Sequence, residues 1–350
     1  MKKMIGPMVW ASAALCASAA AWAQTPSSSV QMYGLVDAAA RHATNTDAAG
    51  ASRKTLEDGI MTGTRLGIRV REDLGGGLSA QLLIESGFDP STGLSLQNSA
   101  TTDYGQLAAP TRYWGREAHI GLRSNLGGIT LGRQYTVAHT LAGRFQPQGN
   151  PNSTAHSLFS SHHVPRNDNM IRLDARMAGI ELSLSRTLGE QASGGNGGQA
   201  IGASYTGKGW AAAAYIQQLE NAPNTETRTV SGLGGNYRVN ERLHLFGGLM
   251  QRTTRVSPQE NRAWTLGANF DVTPLVTLSV AHYDDDQSGS AALEGSRTVS
   301  WVTANYRFSR RTDVYAVLDR NEVTGGYARP AFMGRLGTQN GLVLGLRHRF

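Results

Sequence analysis

Gly341-Leu-Val-Leu-Gly-Leu-Arg-His-Arg-Phe350 carries two faces in ten residues. Leu342, Leu344, Leu346 and Phe350 share one face of an extended strand, and Val343, Arg347 and Arg349 share the other. A strand that is greasy on one side, wet on the other and closed by an aromatic suits a barrel in lipid. There the outer face must be apolar and the inner face is free to be wet. An amphipathic edge strand of a soluble sandwich alternates in the same way, so the rest of the chain has to decide.

Segments of about ten residues with the same alternation recur from end to end. They fall at 30–42, 63–72, 78–88, 114–123, 128–135, 168–176, 179–187, 198–206, 209–219, 228–238, 243–252, 262–271, 275–283, 297–307, 312–321 and 341–350, which makes sixteen. Short connectors such as Asp73-Leu-Gly-Gly-Gly77, Met177-Ala178, Gly207-Lys208 and Asp271-Val-Thr-Pro274 alternate strictly with long ones at 43–62, 89–113, 136–167, 188–197, 220–227, 253–261, 284–296 and 322–340. A sandwich has no reason to gather its long loops at one end. A membrane barrel does, with tight turns toward the periplasm and long loops outside. The fold expected is all-β, a 16-stranded antiparallel transmembrane barrel.

The start of the chain agrees. Met1-Lys2-Lys3 is basic, Met4 to Ala20 is apolar and rich in Ala, and Ala21-Trp22-Ala23 offers small residues before Gln24. This reads as a signal peptide, residues 1–23, cleaved after Ala23, with one barrel domain over 24–350. Cys16 is the single cysteine, with Leu15 where a lipidation site wants a small residue, so no disulfide or Cys-metal site is expected after cleavage. Gly is abundant, 42 of 350 residues, and falls in turns and inside strands, while the mean hydropathy of −0.32 is that of strands with one wet face. Loss of Lys2 and Lys3 lowers the formal charge of +7 by two. An exported basic chain meets small anions and lipopolysaccharide phosphates rather than nucleic acid.

Parity then places the charges. In 64–71, Leu66, Ile68 and Val70 form one face and Arg65, Arg69 and Arg71 the other. An arginine at the bilayer midplane costs about 2–4 kcal/mol, so these three point inward. Arg172, Asp174, Arg347 and Arg349 follow by the same rule, with Asp37 and Glu85 as inward acids. Phe88, Phe270, Trp301, Tyr306, Phe308 and Phe350 are candidates for interfacial girdles. Sixteen strands enclose a bore too wide for side chains to fill, and water remains.

Ser29-Val-Gln-Met-Tyr-Gly-Leu-Val-Asp37, Glu72-Asp-Leu-Gly-Gly-Gly-Leu78 with Glu85-Ser-Gly-Phe88, Gly121 to Tyr135, and the terminal Phe350 together resemble the trimeric general porins of Gram-negative outer membranes, in their neisserial and betaproteobacterial branch. The likeness covers essentially the whole chain after residue 23. It implies a homotrimer, an outer-membrane location, passive diffusion of small hydrophilic solutes, no cofactor and no catalysis. It also implies that the third loop, about 136–167, folds into the bore, with a basic wall cluster of Arg65, Arg69, Arg116 and Arg166 beside Glu85. Phe350 would be read by the barrel-insertion machinery.

One departure bears on selectivity. The family sets acidic loop residues against the basic wall, yet between Arg116 and Asn167 the one carboxylate is Glu117, on a strand. The loop carries His139, Arg144, His156, His162 and His163 instead. A positive constriction and anion preference are expected, with the histidines titrating between pH 5 and 7 if they line it. Adjacent His162 and His163 do not readily share one metal ion. Asp284-Asp-Asp286 reads as a charge run in an outward loop, solvated or holding divalent cations against lipopolysaccharide. Rival readings are a substrate-specific channel, which wants an aromatic track, an outer-membrane enzyme, which wants a Ser-His or Asp-His constellation, and a structural or adhesive protein.

Overall fold

The computed structural model describes residues 28–97, 112–190 and 192–350. The strands are β1 (Ser29–Ala43), β2 (Arg53–Asp58), β3 (Arg65–Gly75), β4 (Leu78–Phe88), β5 (Ser95–Leu96), β6 (Glu117–Ser124), β7 (Gly127–Tyr135), β8 (Arg166–Met177) and β9 (Ile180–Thr187). They continue as β10 (Gly198–Thr206), β11 (Trp210–Glu220), β12 (Thr227–Arg238), β13 (Leu243–Thr254), β14 (Glu260–Thr273), β15 (Val276–Ser288), β16 (Gly295–Arg307), β17 (Thr312–Gly325) and β18 (Thr338–Arg349). Every pairing is antiparallel, and β18 pairs back onto β1, so the sheet closes and leaves no edge. β2 and β3 both lie along β1 as two halves of one barrel strand, and β5 pairs with the end of β4 in line with β6, so sixteen strands form the wall. At the seam Asp37 stands opposite Arg347, and Gly34 and Phe350 exchange two backbone hydrogen bonds of 3.1 Å.

Leu342, Leu344, Leu346 and Phe350 are exposed on the outside, as are Leu66, Leu173, Leu266 and Val302, while Asp37, Glu85, Arg172 and Val343 are buried within. On β14 the outer face runs Phe270, Ala268, Leu266, Trp264 and then Arg262; on β11 it runs Trp210, Ala212, Ala214, Ile216 and then Gln218. About eight residues of strand tilted by roughly 40° give an apolar band roughly 20 Å tall. Gln199 and Gln218, bonded at 2.7 Å, mark its upper edge.

The structure corrects four expectations. The connector at 43–62 contains β2, which continues the ladder of β1 before the chain steps out of register: β1 advances from Leu35 to Ala38 while its partner runs from Asp58 to Arg65. The surplus is an inward excursion, Gly59 to Thr64, in which Ile60 and Met61 are buried. Asp284, Asp285 and Asp286 lie within β15 rather than in a loop, with Asp285 buried in the bore. Trp301 is no girdle residue; it faces inward, fully buried. Finally, the bore is not simply a water-filled tube, because one side of it holds a packed apolar core of wall residues and the 136–165 segment. The proposed signal segment and residues 98–111 of the connector at 89–113 lie outside the described residues.

Candidate functional site

The wall cluster assembles on β1, β3, β4, β7 and β8. Glu85 is its hinge: Oε1 accepts a hydrogen bond from Nε of Arg116 at 2.6 Å and stands 3.8 Å from Nη1 of Arg65, while Oε2 accepts from the hydroxyl of Tyr33 at 2.7 Å. Tyr33 crosses the bore face of Gly67, where a Cβ would fall inside its ring's contact distance. The Arg69 guanidinium lies over the Tyr33 ring, 4.9 Å from its centroid. Arg116 also donates to the hydroxyl of Tyr135 at 2.9 Å, and Arg166 bonds the same hydroxyl while stacking 4.2 Å from the ring centroid. All five residues expected at the constriction are thus joined through two tyrosines. Arg65 and Arg116 meet the Glu85 carboxylate, and Glu117, opposite Glu85 in the ladder, acts on Arg116 and Arg166. Among the described residues Arg69, Arg71 and Arg166 form no ion pair, and Nη1 of Arg116 and Nε of Arg166 are buried without a protein hydrogen-bond partner.

The segment after β7 faces this cluster. It forms α1 (Val137–Ala142), a 3-10 turn (Gly143–Phe145) and α2 (Ser160–His163). Thr136 caps α1 by accepting from the amide of His139 at 3.2 Å, and Pro147, Pro151 and Pro165 keep the rest from becoming longer helix. α1 packs against β9 to β12. A cavity of about 170 Å³ remains between the segment and the opposite wall, lined by Thr62, Arg65, Arg116, Tyr135, Asn152 and Arg166 among others. A second, of about 310 Å³, lies beyond Asn152, where Arg41, Arg53, Glu57 and Asp58 give mixed charge.

The far end of the segment is fixed by hydrogen bonds. Its carbonyls at Thr154, Ala155 and His156 accept from Arg297 at 2.7 Å, Asn321 at 3.0 Å and Trp301 at 3.0 Å. The excursion at 59–64 meets it halfway: the carbonyls of Ile60 and Met61 accept from the amides of Ser153 and Asn152 at 3.0 and 3.3 Å.

Of the basic residues of the segment, His139 borders the cavity, and the others turn to the wall. His156 is buried against Asp319 at 3.1 Å, and that carboxylate also holds Arg41 at 2.8 and 2.9 Å. His162 is buried against Asp285 at 2.8 Å, with Tyr327 and Asn261 on the same carboxylate. His163 is buried with Nε2 3.1 Å from Nδ1 of His139, and Arg144 pairs with Glu181 at 2.7 Å. His162 and His163 therefore serve different partners. Burial lowers the pKa of His162 against the pull of Asp285, takes His163 down to about 3, and, with His163 beside it, lowers His139 too. The acids missing from the loop are on the wall, where Asp319, Asp285 and Glu181 meet His156, His162 and Arg144 of the loop.

The remaining lumen residues are paired among themselves. Arg172 bonds Asp174 at 3.0 Å; Asp313 takes both Arg347 and Arg349, and Arg347 reaches Thr62 at 2.7 Å. Asp37 accepts from Tyr315 at 2.6 Å and from the amide of Thr62 at 2.9 Å. Sequence reasoning missed Tyr33, Tyr135, Asp313, Asp319 and Asp285. Parity with Asp37 marks Tyr33 as inward; a register shift between Gly132 and Gln134 hides Tyr135.

Comparison with known proteins places these features. A family model described as Gram-negative porin matches residues 11–326. An outer membrane porin protein of Bordetella pertussis is 33% identical over 174 residues, 45% of this chain and 42% of that protein. Outer membrane porin protein 32 of Delftia acidovorans is 37% identical over 121 residues, 35% of this chain and 29% of that protein. The chain thus spans less than half the length of these two relatives in the matched stretches. Among solved structures, an anion-selective porin from Comamonas acidovorans superposes with a TM-score of 0.76 at 21% identity, covering 93% of this chain and 100% of that one. The trimer form of OmpT, an outer membrane protein of Vibrio cholerae, does so with a TM-score of 0.68 at 13% identity, covering 93% and 100%. At such identities the two superpositions speak for the fold alone.

Proposed function

The chain belongs to the Gram-negative porin family, and from that premise we propose that it forms a water-filled channel in the outer membrane for passive diffusion of small hydrophilic solutes, with preference for anions. The observation that carries the preference is the excess of Arg65, Arg116 and Arg166 over the two carboxylates of Glu85 and Glu117 beside the passage. Two buried guanidinium nitrogens there have no protein acceptor, and a narrow, low-dielectric wall focuses such a field. The anion selectivity named for the Comamonas porin is in line with this reading. No catalytic step is involved.

A planar-bilayer recording under a salt gradient tests both parts. Single-channel steps with a reversal potential on the anion side are the expected result. Absence of steps counts against the channel; a reversal potential at zero or on the cation side counts against the preference.

On the same reading the assembly is a homotrimer, as in the trimer form of OmpT; its mass in mild detergent checks this. The outward face meets lipid and lipopolysaccharide, the insertion machinery reads Phe350, and export removes residues 1–23, which N-terminal sequencing of the membrane form checks.

A further inference from the structure

Four inward positions on β10 and on β12 to β14 carry no side chain: Gly202 on β10, Gly234 on β12, Gly248 on β13 and Gly267 on β14. Each alternates with a large outward residue, Ile201, Leu233, Leu249 and Leu266, all exposed to the outside. Glycine in the middle of a strand weakens it, so four facing inward over the stretch from β10 to β14 call for a cause. The cause stands directly above them. A Cβ built at Gly202 would come closer than 3.0 Å to the side chain of Leu141, at Gly234 and Gly248 to the ring of Phe145, and at Gly267 to Pro147; at Gly234 and Gly267 it would also meet the backbone of the next strand, so Gly202 and Gly248 are the two positions where the loop alone comes that close. These three residues belong to the segment that faces the arginine cluster, and Leu141 and Phe145 are fully buried. Phe145 is wedged further by Tyr215, stacked at 6.5 Å, and by Phe159, edge-on at 6.0 Å.

Taking the channel reading as given, we propose that these four glycines are positioning residues that set the width of the passage. They recess the wall by one side-chain layer, so that Leu141, Phe145 and Pro147 sink into it and the loop stands back from Arg65, Arg116 and Arg166. The hydrogen bonds to Thr154, Ala155 and His156 fix where the loop ends; the glycine recess fixes how far its first half projects. A packed interior does not absorb added methyl groups. A side chain in the recess therefore drives the loop across the bore.

The test is single-channel conductance of folded barrels carrying Gly248→Val, with Gly247→Val as the partner control. Gly247 is the preceding residue, faces outward, and its built Cβ comes no closer than 3.1 Å, to the tip of Leu266. Gly248→Val lowers conductance and the size limit for neutral polymers, Gly247→Val leaves both at the wild-type level, and Phe145→Ala added to Gly248→Val restores them. Conductance at or above wild type in Gly248→Val, an equal fall in Gly247→Val, or a fall that Phe145→Ala does not reverse overturns the proposal. Should Gly248→Val not fold, Gly202→Ala with and without Leu141→Ala makes the same comparison. Failure of the wild-type protein to conduct would refute the channel reading and not the recess.

Discussion

Oε1 of Glu85 lies 2.6 Å from Nε of Arg116, and both side chains are 3% exposed. The same carboxylate is the one ion-paired with Arg65, so its charge is divided between two cations, while Arg166 feels Glu117 on the neighbouring strand without pairing with it. Removing it alters the field of the passage more than removing any one arginine alters its shape.

Glu85→Gln should therefore move the reversal potential in a salt gradient further toward the anion, and Arg166→Gln should move it back. One unit charge about 6 Å from a passing ion in a water-like dielectric is worth about 0.7 kcal/mol, or about threefold in partition. Recordings of the two variants that shift in the same direction would refute the assignment.

Acid should loosen the loop through His163. Docked, this side chain is buried and its pKa is taken down to about 3; undocked, it titrates near the ordinary value of about 6.5. The undocked state binds the proton first, so docking weakens as pH falls through the window from about 6.5 to about 3. The slope is about 1.4 kcal/mol per pH unit. Current noise from loop motion should rise below pH 6 in the wild type and rise less steeply in His163→Gln, where His139 and His162 still titrate with the same sign. Identical pH profiles would mean that another group carries the effect.

Trp301→Phe removes the donor to the carbonyl of His156, a buried bond of 3.0 Å. An unmade buried hydrogen bond costs about 1–3 kcal/mol. Brief closures should become more frequent while mean conductance holds, because Arg297 and Asn321 still grip the neighbouring carbonyls. A closure rate equal to wild type would show that this bond does not hold the loop.

Gly34→Val tests the seam. A Cβ at Gly34 collides with the ring of Phe350, which lies across it on the outer face. The ring must leave, and the two backbone bonds between these residues loosen with it. Refolding into detergent, followed by the heat-dependent gel mobility of closed barrels, should show a lower melting temperature; an unchanged one would remove Phe350 from the closing contacts.

The barrel was legible because alternation is local. Leu66 against Arg65, or Leu346 against Arg347, settles which way a strand faces with no knowledge of its neighbours. The same parity made Arg65, Arg69, Glu85 and Arg172 readable as inward. Two kinds of feature escaped it. Breaks in the period of two, at 59–64 and at Gly132 to Gln134, reset the parity of the residues downstream, which hid Tyr135. Pairings of the loop with the wall have no period at all: His162 and Asp285 are 123 residues apart, and His156 and Asp319 are 163. Trp301 was misread for another reason. A girdle aromatic and an inward aromatic have the same composition, and its neighbour Val302, exposed outside, is what separates them.

The meeting of Ile60 and Met61 with Asn152 and Ser153 gives the loop a second abutment. A span resting on one wall is a cantilever, and its free end deflects under flow or voltage. Resting on β10 to β14 at one end and on the stepped strand beside β1 at the other, it is a bridge, far stiffer for the same material. Shortening the step at 59–64 would turn the bridge back into a cantilever while leaving the arginine cluster itself in place.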